Sequence, residues 1–126
     1  MKYLENYDVW DDTRDIPEIE NAIEDYLIDL RDVGFRVVHQ IQRKNNIILI
    51  YISGKMSSNL FSLDDIKEPV NHLISFMEGE SHPLVKLSHK GTSPCAWSIM
   101  NCDRIETSNY TNIKNINCFE IKFKLK

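Results

Sequence analysis

The sequence predicts an α+β fold: one antiparallel sheet of about five strands, in the order α-β-β-α-β-β-β, with two amphipathic helices packed on one face. Two segments repeat apolar residues at the spacing of a helix face, and other segments alternate apolar and polar residues as strands do. The chain has 126 residues, 42% of them hydrophobic, which suits one core. We therefore expect a single α+β domain over residues 1–126.

The first predicted helix begins at Asp15, because Asp15 and Glu18 have the spacing of a capping box and Pro17 suits a first turn. An acidic N-terminal segment, residues 1–14, precedes it. Gly34 follows the helix and can adopt the positive φ that often ends one. The apolar stripe consists of Ile16, Ile19, Ala22, Ile23, Tyr26, Leu27, Leu30 and Val33.

Residues 35–53 predict a β-hairpin. Asn45-Asn46 suits a two-residue type I′ turn, which would pair Ile41 with Ile50. The alternation then places one set of side chains on the core face: Phe35, Val37, Ile41, Ile48, Ile50 and Ile52. The opposite face is mixed and carries Val38, Gln40, Gln42, Leu49 and Tyr51.

The second helix begins at a capping-box-like pair, Ser62 and Asp65, and ends at Gly79. Short strands are expected over residues 83–88 and 95–100, followed by a polar, exposed loop over residues 101–117. The last strand alternates apolar residues with charged ones, which predicts a buried face and a basic outer face. Its apolar residues are Phe119, Ile121, Phe123 and Leu125, and its charged ones are Glu120, Lys122, Lys124 and Lys126.

Charge is unevenly distributed along the chain. Residues 1–34 contain eleven Asp or Glu against three Lys or Arg, whereas the formal net charge of the whole chain is −4. This acidic balance disfavours nucleic acid as a partner of the whole surface, although a local basic patch is compatible with it. The outer face of the first helix displays one apolar residue, Ile28, among the acids Glu20, Glu24, Asp25 and Asp32.

An apolar residue surrounded by like charges resembles a small interface core with a charged rim that accelerates docking. We therefore expect a small non-enzymatic domain that binds a basic protein through these five residues. The simpler interpretation is a solvated helix face, on which one exposed apolar residue is ordinary.

The sequence contains little that indicates catalysis or a cofactor. Its four glycines form no nucleotide-binding motif. Three cysteines and two histidines of the C-terminal third, Cys95, Cys102, Cys118, His82 and His89, include zinc-ligand types. Six residues separate His82 from His89, and six separate Cys95 from Cys102, which is longer than usual zinc spacings. We expect no catalytic residues, no metal and no cofactor.

Two alternatives remain open. In the first, a sheet face with Arg36 and Tyr51, next to the basic C-terminal strand, binds RNA or single-stranded DNA. A competing explanation for those lysines is protection of an exposed strand edge against aggregation. In the second, the protein is a small thiol or zinc enzyme.

Composition and the N-terminus suggest a setting. The chain has 16 Ile, 11 Asn and 10 Lys but 2 Ala, a coding bias towards A/T-rich codons that fits a phage or other virus, a mobile element or a low-GC bacterium. The polar, acidic N-terminus lacks the apolar run of a signal peptide, and no run approaches the ~20 residues of a membrane span. We expect a cytoplasmic protein with no membrane contact; self-association stays open.

Overall fold

A computed structural model describes residues 2–55, 60–91, 97–100, 104–105 and 113–125, with side chains from residue 16 onward. It confirms the predicted α+β fold and the order of its elements. The helices are α1 (Lys2–Asp32) and α2 (Leu63–Gly79). The strands are β1 (Arg36–Gln42), β2 (Ile47–Ser53), β3 (Leu84–Lys90), β4 (Trp97–Met100) and β5 (Cys118–Lys124).

The strands form one five-stranded antiparallel sheet in the spatial order β1-β2-β5-β3-β4. The last strand in sequence, β5, therefore lies in the centre and pairs with β2 on one side and β3 on the other. The edges are β1 and β4.

Both helices cover the same face of the sheet. Residues of α1 and α2 form one buried cluster with alternate residues of the strands, including Ile50, Ile121 and Leu87. Because side chains alternate across a strand, the intervening residues lie on the opposite face, which we call the open face. It carries Arg36, Val38, Gln40, Gln42, Ile47, Leu49, Tyr51, Ser53, Lys86, Ser88, Lys90, Trp97, Ile99, Cys118, Glu120, Lys122 and Lys124.

Helix α1 begins at Lys2 and not at Asp15, so residues 2–14 are part of the helix and not a separate acidic segment. Capping-box spacing favours a helix start, but it does not stop a helix that began upstream from continuing through Asp15. Residues 2–14 contain neither Gly nor Pro, so their intrinsic preferences do not end the helix before Pro17.

The hairpin register differs from the prediction by two residues. Ile41 pairs with Ile48 and His39 with Ile50, because the turn spans the four residues 43–46. Within this turn Asn46 alone has a positive φ, of 59°, and its N–H donates to the carbonyl of Arg43 at 3.1 Å. A two-residue shift returns every side chain to the same face, so the predicted core face is confirmed.

Helix α2 begins as predicted, with the Asp65 carboxylate accepting the N–H of the N-cap residue Ser62 at 3.0 Å. The expected exposed loop is wrong in two places, since Ile105 and Ile116 are each 1% exposed. Ile116 forms a bridge with Phe61, just before α2. Both side chains are part of the hydrophobic core, so the polar segment is not exposed at these two residues.

Candidate functional site

The predicted protein-binding residues lie on the outer side of α1. Ile28 is 51% exposed, and Asp25 and Asp32, three residues before it and four after it, are exposed as well. This spacing places the three side chains together on one helix face. The exposed apolar residue and two of its acidic neighbours thus lie together on the outer surface of α1.

The other two predicted residues have additional contacts. Glu24 forms an ion pair of 3.1 Å with Arg31, whose guanidinium also donates to the Val37 carbonyl at 2.9 Å. Glu20 lies 2.8 Å from Nε2 of His39 on β1. Glu20 and Glu24 therefore help to hold α1 against the edge strand and contribute less free charge to the helix surface.

The candidate zinc ligands do not assemble within the described residues. Cys118 lies on the open face and pairs with Lys90, whereas His89 pairs with Phe119 and belongs to the face under the helices. His82 precedes β3 and His89 lies near its far end, so about 20 Å of strand separates them. Cys95 and Cys102 lie outside the described residues. No group of three potential ligands occurs in the part of the chain that is described.

The open face presents two aromatic rings that meet above its central strands. Tyr51 and Trp97 stand on β2 and β4, three strand spacings or about 14 Å apart, yet their ring centroids are 6.4 Å apart. Both rings must therefore lean over β5 and β3. We call this pair the aromatic ridge. Ser88, on β3 between the two strands, is 1% exposed although neither described helix covers that face.

Charged side chains flank the aromatic ridge. The Lys86 ammonium pairs with the Glu120 carboxylate at 3.2 Å, and Lys90 lies 5.4 Å from the centre of the Trp97 indole. Burial and the hydrogen bond to Glu120 raise the pKa of Tyr51 to about 12, so its hydroxyl remains protonated at neutral pH. The cluster is thus an ordered network with one neutralised lysine and one cation–π contact.

The reactive side-chain types of this region are not activated. Burial raises the pKa of the Cys118 thiol, whose Sγ accepts from the Ser53 hydroxyl at 3.8 Å. Burial lowers the pKa of His89, on the other face. A protonated thiol and a neutral imidazole on opposite faces cannot form a nucleophile–base pair.

One groove lies along the start of α2. It has a volume of about 290 Å³ and is lined by Asp64, Asp65, Lys67, Glu68 and Pro69. All five residues belong to a single helix, and none is a large apolar side chain that could enclose a small molecule.

The chain was compared with protein families, curated proteins and solved structures. None of them matches. Among the described helices, none is long and apolar enough to cross a membrane. Two surfaces carry the features described above: the outer face of α1 and the open face of the sheet.

The aromatic ridge was not predicted from the sequence. Trp97 and Lys90 belong to different strands, and only the pairing of β3 with β4 places them side by side. The available signal was weak: Trp97 and Ile99 alternate with Ser98 and Met100, which could have marked an exposed aromatic face.

Proposed function

We propose that this protein is a small non-enzymatic binding domain that engages a basic protein through the outer face of α1. The single observation that carries the proposal is the half-exposed side chain of Ile28 between the exposed carboxylates of Asp25 and Asp32. Ile28 supplies the apolar contact that loses water on binding, and the acids attract and orient a basic partner.

The surroundings of Ile28 support a rigid docking surface. The opposite side of α1 is buried through Ile23, Leu27 and Leu30, and the contacts of Arg31 and His39 fix the helix to β1. Because the helix is already ordered, binding would cost little backbone entropy. The A/T-rich coding suits an accessory or inhibitor-type protein of a phage or mobile element.

The test uses affinity capture from the cells that express the protein, followed by purification of the captured partner. Affinity is then measured for the wild type, for Ile28→Arg and for the double variant Asp25→Lys/Asp32→Lys. Both variants leave the Glu24–Arg31 ion pair intact. We expect at least a tenfold loss in each, because a desolvated interface residue contributes upwards of about 1.4 kcal/mol.

A matched control is Val85→Arg, which places the same charge on an equally exposed apolar position of β3. It should bind as the wild type does, and wild-type affinity should fall as salt rises. If Ile28→Arg binds the partner as tightly as Val85→Arg, the α1 face is a solvated surface and the proposal is wrong.

A further inference from the structure

The open face points to a second binding site, and we propose that it binds single-stranded nucleic acid, with bases stacked on the aromatic ridge and phosphates held by the surrounding basic side chains. This site is independent of the protein-binding face of α1, since the two lie on opposite sides of the sheet.

Charge is separated between the two layers of the domain. From residue 16 onward, α1 and α2 carry ten acidic side chains against two basic ones, Arg31 and Lys67. The open face carries one acid, Glu120, against five bases: Arg36, Lys86, Lys90, Lys122 and Lys124. The acidic excess of the chain therefore lies in the helix layer, and the open face has the sign that attracts phosphate.

The acids of the helix layer oppose a polyanion on the open face only weakly. A helix with its side chains is about 10–12 Å across, so the outer helix surface lies on the order of 15 Å from the sheet plane. The Debye length at physiological ionic strength is about 8 Å, so this repulsion is largely screened.

The position of β5 removes the simpler explanation for its lysines. Lysines on an edge strand discourage aggregation, but β5 pairs on both sides and has no free edge. Lys122 faces Leu49 on β2 and Lys86 on β3, in the middle of the sheet. Two like charges on neighbouring strands cost stability. Glu120 neutralises Lys86, and Lys122 has no ion-pair partner among the described residues.

The aromatic ridge offers a surface on which bases can stack, which basic side chains alone do not provide. Trp97 is 42% exposed, so part of its indole is accessible to a base, and Lys90 already lies beside the ring. Aromatic rings on a flat sheet, next to cations, are the means by which several domains stack unpaired bases. Neither stacking nor a phosphate contact involves the edge of a base or the 2′-hydroxyl group, so we expect single strands of DNA and RNA to bind alike.

The test is fluorescence anisotropy with a labelled single strand of about twelve nucleotides and mixed sequence, at about 50 and 200 mM salt. Four basic side chains other than Lys86 predict a slope of log K against log salt of up to about −2.8. Trp97→Ala should weaken binding between about fivefold and a hundredfold, whereas Trp97→Phe should retain most of it. Lys90→Gln/Lys122→Gln should reduce the slope by about 1.4.

Lys114→Gln is the matched control. It removes one exposed lysine next to the start of α2, away from the open face, and should leave affinity nearly unchanged. Thermal melts confirm that each variant is folded. Three results would overturn the proposal: no binding at about 50 mM salt, equal affinity of Trp97→Ala and the wild type, or equally strong binding of a duplex or a polyglutamate peptide. The last would identify a patch for any polyanion, including an acidic protein.

Discussion

Asn71, in the middle of α2, connects two parts of the chain that lie 34 residues apart. Its side-chain amide donates to the carbonyl of Ile105 at 2.8 Å, and its Oδ1 accepts the N–H of the same residue at 2.8 Å. Both backbone groups of Ile105 are thereby satisfied by one side chain, and the Ile105 side chain is almost completely buried. We predict that Asn71→Ala is strongly destabilising.

The magnitude follows from these contacts. Each hydrogen bond has a net worth of about 1 kcal/mol, and a buried backbone group left without a partner costs about 1–3 kcal/mol. Alanine is a slightly better helix former than asparagine, by roughly half a kcal/mol, which offsets part of the loss. The free energy of unfolding should therefore fall by about 2–4 kcal/mol, which for a domain of this size lowers Tm by on the order of 10 °C.

Urea unfolding measures the stability loss, and amide hydrogen exchange locates it. In Asn71→Ala the amide of Ile105 should lose protection by more than the global change in stability explains. His72→Ala, at the exposed neighbouring position, is the control and should change stability by less than about 0.5 kcal/mol. An Asn71→Ala protein as stable as His72→Ala, with the Ile105 amide still protected, would refute this account of the 104–105 segment.

The remaining predictions concern the core and the open face. Ile50→Ala should lower the free energy of unfolding by about 2–5 kcal/mol, because Ile50 is fully buried at the centre of the cluster; an unchanged urea midpoint would contradict the core assignment. Ser88→Ala should leave stability unchanged or raise it by about 1 kcal/mol, because the buried Ser88 hydroxyl has no hydrogen-bond partner among the described residues; a clear loss would reveal one. The folded protein keeps the Tyr51 proton up to about pH 12, whereas the unfolded chain releases it near 10.0, so stability falls between these values. Tyr51→Phe should show a smaller alkaline fall in urea-unfolding experiments, and an identical pH profile would contradict the raised pKa.

The hairpin shows how far a sequence pattern can predict structure. Alternation assigned Val37, Ile48 and Ile52 to the core face, and the structure buries all three. The register depended on the turn, and the assumption of two turn residues at Asn45-Asn46 was wrong because the loop has four. The predicted register differs from the observed one by two residues, an even number. Every cross-strand neighbour therefore changes, but every side chain stays on its predicted face.

The α1 surface was predictable in part for a similar reason. Helical spacing alone places Ile28 opposite the buried stripe, and the structure exposes it. The contacts of Glu20 with His39 and of Glu24 with Arg31 depend on where β1 packs against α1. No spacing within the helix sequence indicates them.

The sequence by itself determined the two amphipathic helices, the alternating strands and the side of each element that is buried. These properties follow from the direction of successive side chains, which repeats every 3.6 residues in a helix and every two in a strand, and is therefore local. The tertiary structure decided that β5 inserts between β2 and β3, and hence that the rings of Tyr51 and Trp97 meet. Strand order depends on pairing between segments distant in sequence, whose free energies reflect the packing of the whole core rather than any local pattern.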